Sequence, residues 1–216
     1  IFVFEVFHLL NIKKNKVIDY VYHEHLDYHS VRALKKFFLS NMMKIIDIEK
    51  VKTKGGSIRV YVAKKNSKYI AKNKKINLII KEEINNKIFS KNTYEKLNEE
   101  IVNKKDEIIK IIKKYKKNKF EILSYGASAT STVINILFSL NKFFKYIVDD
   151  NKKRQNRYSP YFRKKVVSKK IFMDDKKYLV LVSAWRFFDE IVKNNLKSKR
   201  RKNIKFLRIL PSLKIK

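Results

Sequence analysis

Only three glycines occur in 216 residues, two adjacent at Gly55-Gly56 and the third at Gly126. Glycine enters left-handed backbone without steric cost, so the sharpest turns of the chain are expected at these two places. Before the pair, Ile46, Ile48 and Val51 are interleaved with polar residues; after it, Ile58, Val60 and Val62 alternate. A period of two on both sides predicts an antiparallel hairpin from 44–54 to 57–63. Around Gly126, residues 120–125 read as a strand, 126–128 as a tight turn, 129–140 as a helix and 146–148 as a second strand, a βαβ-like unit.

The flanking segments extend both patterns. The apolar run over 1–6 predicts a buried strand, 7–14 a short helix or turn, and 17–21 a second strand. Ser30 is placed to cap a helix whose apolar positions Val31, Leu34, Phe37 and Phe38 keep helical spacing. Residues 64–75 are polar and loop-like, and two helices follow. In the second, Tyr94, Leu97, Ile101, Ile108, Ile111, Ile112 and Tyr115 form one apolar stripe, which is packing surface. Beyond Val148 comes a charged loop over 151–165, a buried strand over 178–182, a helix after Trp185 ending near Ser198, and a last strand over 204–210. This alternation predicts a small α/β sandwich with a mostly parallel sheet.

Tyr22-His23-Glu24-His25-Leu26-Asp27-Tyr28-His29 holds three of the four histidines. Histidine is the side chain whose ordinary pKa lies nearest neutrality, and an adjacent carboxylate fixes its tautomer and supports its imidazolium, so acid/base chemistry is the functional reading. Extended chain alternates faces, which sets His23 opposite Tyr22 and Glu24. A metal site from His23, His25 and His29 is the alternative these residue types leave open. The expected strand over 17–21 would deliver the run to a sheet's C-terminal edge, where ligands collect in α/β folds.

Three motifs now stand in order: the histidine run followed by Ser30-Val31-Arg32-Ala33-Leu34; Gly55-Gly56-Ser57-Ile58-Arg59-Val60-Tyr61; and Tyr125-Gly126-Ala127-Ser128-Ala129 with Val148-Asp149-Asp150-Asn151 and Ala184-Trp185-Arg186-Phe187-Phe188-Asp189-Glu190-Ile191. Together they resemble the C-terminal two thirds of the S-adenosylmethionine (SAM)-dependent sugar-nucleotide C-methyltransferases, which methylate a carbon of a nucleoside-diphosphate keto-deoxysugar. The resemblance implies the C-terminal part of a Rossmann-like methyltransferase domain (1–65), connecting helices (66–118) and a second small Rossmann-like α/β domain (119–216) that binds the nucleotide. Family members also carry a cysteine-rich zinc segment and a glycine-rich SAM loop. This chain has no cysteine and no such loop, so the resemblance implies a portion of a longer enzyme, truncated or split, inactive alone, with SAM held mainly, and zinc only, by the missing part. A separate N-terminal half is then an expected partner.

Carried over residue by residue, the resemblance makes His25 the general base, Glu24 its partner or a sugar-hydroxyl acceptor, and Tyr22 a hydrogen-bond donor. Ser57 and Arg59 follow the glycine pair, where an arginine can fork onto a diphosphate. Gly126, Ser128 and Ala129 present backbone amides at a helix start, and Asp149 lies roughly twenty residues on, near an expected ribose. The family usually follows this turn with lysine and glycine, where Thr130 and Ser131 stand here. Trp185 falls in a family signature and reads otherwise as a packed aromatic.

The net charge of +33 points on its face to a polyanion. Lysine, isoleucine and asparagine dominate together while alanine and glycine are scarce, the mark of A/T-rich coding, and the lysines spread over every segment instead of clustering. The partner that the resemblance implies is a nucleoside-diphosphate sugar, and no nucleic acid and no membrane are expected; a basic nucleic-acid-binding protein and a non-functional fragment are the alternatives. The absence of cysteine suits a reducing cytoplasm, and no apolar run reaches the roughly 18 residues of a membrane span.

Overall fold

The computed structural model describes residues 1–195 and 203–216, and the chain divides into two compact units. The first comprises Ile1–Ile18 and His23–Leu97, the second Asp19–Tyr22 and Asn98–Lys216.

The first unit is built on a three-stranded antiparallel sheet, β1 (Phe2–Phe7), β2 (Met43–Val51) and β3 (Ser57–Lys64), in the order β1-β3-β2. The expected hairpin joins β2 to β3, with Val51 opposite Ser57. Gly56 takes φ +125°, and a Cβ there would lie 2.5 Å from the Asn11 side-chain amide, which itself donates to the Gly56 carbonyl. Alternation on β3 sends Ile58, Val60 and Val62 inward. Helix α1 (Leu10–Asn15) precedes α2 (Val31–Ser40) and α3 (Asn73–Asn85). Val31, Leu34 and Phe38 of α2 and Ile76 and Ile79 of α3 pack with those three residues, Ile45 and Ile48 into one core.

Two expectations fail here. The run over 1–6 is a strand but not a buried one: Phe2 is 54% and Val3 46% exposed, because β1 is an edge strand with β3 as its one sheet neighbour. Residues 17–21 form no strand; Ile18–Tyr20 is a 3₁₀ turn. Val17, Ile18, Asp19 and Tyr20 are all buried, and four consecutive buried side chains fit a coiled turn better than a pleat with two faces.

In the second unit, β4 (Phe120–Tyr125), β5 (Tyr146–Val148), β6 (Lys165–Val167), β7 (Lys177–Val182), β8 (Ile204–Arg208) and β9 (Lys214–Ile215) form one sheet in the order β6-β5-β4-β7-β8-β9. All neighbours are parallel except β8 and β9. Counted within the unit the order is 3-2-1-4-5-6, the doubly wound Rossmann arrangement, whose direction reverses between β4 and β7. Helices α5 (Ala129–Leu137) and α6 (Phe188–Asn195) accompany it, together with α4 (Lys91–Lys117) from Asn98 onward. β4 and β7 are buried over most of their length, with Leu123, Tyr178, Val180, Val182, Phe188 and Phe206 at the core. A polar knot lies within: Ser124 of β4, Asn135 of α5 and Ser183 after β7 are all buried and hydrogen-bond to one another at 3.1–3.4 Å. Sequence reading missed the short strands β6 and β9. The helix after Trp185 is described to Asn195, and its expected end near Ser198 lies outside the described residues.

Candidate functional site

The turn after β4 sits at the point where the sheet reverses. Gly126 has φ +108°, and a Cβ on it would lie 2.6 Å from Ser131 Oγ and 2.9 Å from Ala184 Cβ. Its N–H donates to the Val148 carbonyl at 2.8 Å, and the Ala184 N–H donates to the Tyr125 carbonyl at 3.1 Å, so the β4 turn, the end of β5 and the loop after β7 are drawn together. Between them opens a cleft of about 290 Å³, bordered by Gly126, Ser128, Asp149, Arg154, Ala184 and Phe187. Three of the expected substrate residues, Gly126, Ser128 and Asp149, thus share one hollow.

Ser128 caps α5: its Oγ accepts from the Ser131 N–H at 3.2 Å and lies within hydrogen-bond range of the Thr130 and Ser131 hydroxyls. Ala129 is the first helical residue. Asp149 is buried and occupied with the protein itself, accepting from the Ala127 N–H at 2.7 Å, the Asn151 N–H at 2.8 Å and Arg154 Nη1 at 3.2 Å. One turn amide is therefore already satisfied by a carboxylate, and Arg154 brings a cation to the cleft. Tyr125 donates to Asp150 at 2.6 Å. Burial, then that hydrogen bond, pushes its phenol well above the ordinary tyrosine range, so it is a neutral donor at any physiological pH. Tyr125 and Asp150 stand in the motifs read from sequence but carry no role there, and Arg154, in the charged loop, is in none of them.

The second unit also contains Asp19, fully buried, and Tyr22. Trp185 Nε1 donates to Asp19 Oδ2 at 3.0 Å, and Arg186 forks onto the same carboxylate. Trp185 is thus anchored by a polar contact that its packing reading did not include. Tyr22 is half-buried, three residues after Asp19.

In the first unit, Glu24 is exposed and His25 half-buried, in a segment with a turn at His23-Glu24. Face alternation, which placed His23 opposite its neighbours, does not apply in a turn. Among the described residues no group of histidine, cysteine, aspartate and glutamate could hold a metal ion. His8 and Glu83, which sequence reading passed over, form a buried contact at 2.7 Å. A carboxylate on the same helix face as Ile76 and Ile79 was the available signal.

Ser57 is buried and lines a separate cleft of about 510 Å³ with Asn11, Lys14, Lys50, Gly56 and Glu82. Lys14 and Lys50 both hydrogen-bond to the Glu82 carboxylate, which lies below its ordinary pKa through those contacts. Arg59 is not part of that hollow. Its guanidinium reaches Glu5 at 3.1 Å on one neighbouring strand and Glu49 at 3.4 Å on the other.

A nucleoside cofactor such as SAM ordinarily needs a glycine-rich strand–loop–helix. The three glycines here serve the β2–β3 hairpin and the single-glycine turn after β4, so the described residues do not fit the methyl donor. None of the described helices is long and apolar enough to cross a membrane.

Comparison with known proteins agrees with this geometry. Residues 52–211 match a family described as the C-methyltransferase C-terminal domain. A 63-residue stretch, 29% of the chain, is 35% identical to the C-methyltransferase NovU of Streptomyces niveus, of which it covers 15%. With the family match covering well over half of the chain, from the end of β2 through β8 of the Rossmann-like sheet, the chain belongs to the C-methyltransferase C-terminal domain family.

Proposed function

We propose that the chain is the substrate-binding and base-bearing portion of a cytoplasmic SAM-dependent C-methyltransferase acting on a nucleoside-diphosphate keto-deoxysugar. The observation that carries it is the cleft at the β4/β7 reversal, where Gly126, Ser128 and Arg154 face a hollow at the start of α5. Helix-start electrostatics and a guanidinium suit a diphosphate. Because Asp149 already takes the Ala127 N–H, the phosphates are expected to meet Arg154 and the Ser128 hydroxyl, with Asp149 holding the turn.

Methylation beside a ketone requires removal of the acidified C–H proton and support of the enolate. His25 takes the proton and Glu24 supports the imidazolium. Positioned general bases are worth about 10²–10⁴-fold.

Titration calorimetry of the chain with nucleoside diphosphates, nucleoside-diphosphate sugars and inorganic pyrophosphate tests the binding half. Saturable binding that depends on base and sugar, and weakens at least tenfold in Arg154→Ala, is expected. Equal affinity for pyrophosphate with a steep loss in added salt would replace this reading by general polyanion attraction. Deuterium exchange at the carbon beside the ketone, followed by NMR, tests the base: it should fall at least a hundredfold in His25→Gln.

A further inference from the structure

Glu83 is fully buried and yet bears a carboxylate, on a helix otherwise rich in lysine. Three donors surround it. His8 Nε2 and the Val31 N–H both reach Oε1, at 2.7 and 2.6 Å, and the Arg32 N–H reaches Oε2 at 3.1 Å. Val31 and Arg32 are the first two residues of α2, whose opening amides have no partner within the helix. The third, Ala33, donates to Ser30 Oγ at 3.1 Å. Glu83 and Ser30 therefore satisfy the three amides between them, and the carboxylate sits where the helix dipole favours negative charge.

This clamp acts on the end of the histidine run. His29 is bound just before the helix, its carbonyl accepting from the Leu9 N–H at 2.8 Å, beside the β-bridge of His8 with His29. Arg32 lies over the Phe89 ring at 4.9 Å. Between Glu24 and Tyr28 the backbone has no regular ladder or helix of its own, and the clamp fixes the point at which it enters α2. We propose that Glu83, 58 residues beyond His25 in sequence, is a positioning residue for that segment, with His8 as the buried donor that orients the carboxylate. The inference rests on the proposed role of His25.

Glutamine at position 83 keeps shape and volume but carries an NH₂ group that faces a donor in either orientation. In the full chain, Glu83→Gln should speed amide hydrogen exchange at Val31 and Arg32 at least tenfold and shift the His25 imidazole resonances, while exchange at Phe38, farther along α2, stays within twofold. Unchanged exchange at Val31 and Arg32 overturns the clamp. Faster exchange with unmoved His25 resonances reduces Glu83 to a helix cap and overturns the positioning role. Should Glu83→Gln not fold, His8→Leu, which removes one donor and leaves both amides on the carboxylate, is read in the same way on His25. Failure to bind a nucleoside-diphosphate sugar would sink the functional reading and leave these exchange rates as they are.

Discussion

Arg186 grips Asp19 with both ends of its guanidinium fork, Nη1 to Oδ2 at 2.6 Å and Nη2 to Oδ1 at 2.9 Å, although 167 residues separate them. The carboxylate is almost wholly buried and the arginine about one-fifth exposed. Planar bidentate pairs of this kind are geometrically exacting, and removing one partner strands the other charge. Asp19→Asn should cost about 3–5 kcal/mol of stability. Trp185, the one tryptophan in the chain and itself a donor to Asp19, reports locally. A urea unfolding curve followed by its fluorescence should move to a lower midpoint, and a curve superimposable on the parent's would refute the assignment.

Gly126→Ala tests the turn at the sheet reversal. The positive φ and the 2.6 and 2.9 Å contacts a methyl would make with Ser131 and Ala184 both oppose it. Together they should destabilise the chain by about 2–3 kcal/mol. Thermal unfolding of the variant would show this directly; an unchanged Tm would mean the turn can adopt another backbone course.

Asp47 supplies a pH dependence. Burial opposes its ionisation, but hydrogen bonds from Lys72, Lys75 and the Ile48 N–H outweigh that and bring its pKa down to about 2. A carboxyl depressed by folding stabilises the native state above its ordinary range near pH 4, and that contribution disappears as pH falls through about 2. Both lysines are largely exposed, so solvent screening limits the effect to about 1 kcal/mol. Asp47→Asn should therefore be less stable than the parent at pH 7 and equal to it below pH 2, measured by denaturant titration at the two pH values. An equal gap at both would exclude the ion-pair explanation.

The chain should bind SAM weakly, with Kd above about 1 mM, corresponding to roughly 4 kcal/mol of binding free energy. Calorimetry decides: micromolar binding would mean that residues outside any glycine-rich loop, among them the β4 turn, hold the methyl donor.

Elements with a strong local signal were legible from sequence. Ser30 caps the helix it precedes, the alternation on β3 predicted its buried face, and the apolar blocks of β4 and β7 became central strands. β6 and β9 were not legible, since three and two residues carry no period and owe their pairing to Tyr146–Val148 and to Leu207 with Arg208. The turn at Ile18–Tyr20 was misread because Asp19 is as deeply buried as its apolar neighbours, and what buries it is an arginine distant in sequence. Arg59 looked free to fork onto phosphate because Glu5 and Glu49 come from other strands. The histidine run was conspicuous in composition, whereas the carboxylate that fastens its end lay in a lysine-rich helix and gave only a positional hint.

The contacts of Arg59 with Glu5 and Glu49 have one more consequence. These three residues lie directly opposite one another across β1, β3 and β2. Sliding β3 by one residue would set the guanidinium against Phe4 or Val6 on one side and Ile48 or Lys50 on the other, while turning Ile58, Val60 and Val62 toward water. The charged rung thus works as an alignment pin for the sheet, making mispaired strands during folding electrostatically as well as hydrophobically unrewarding.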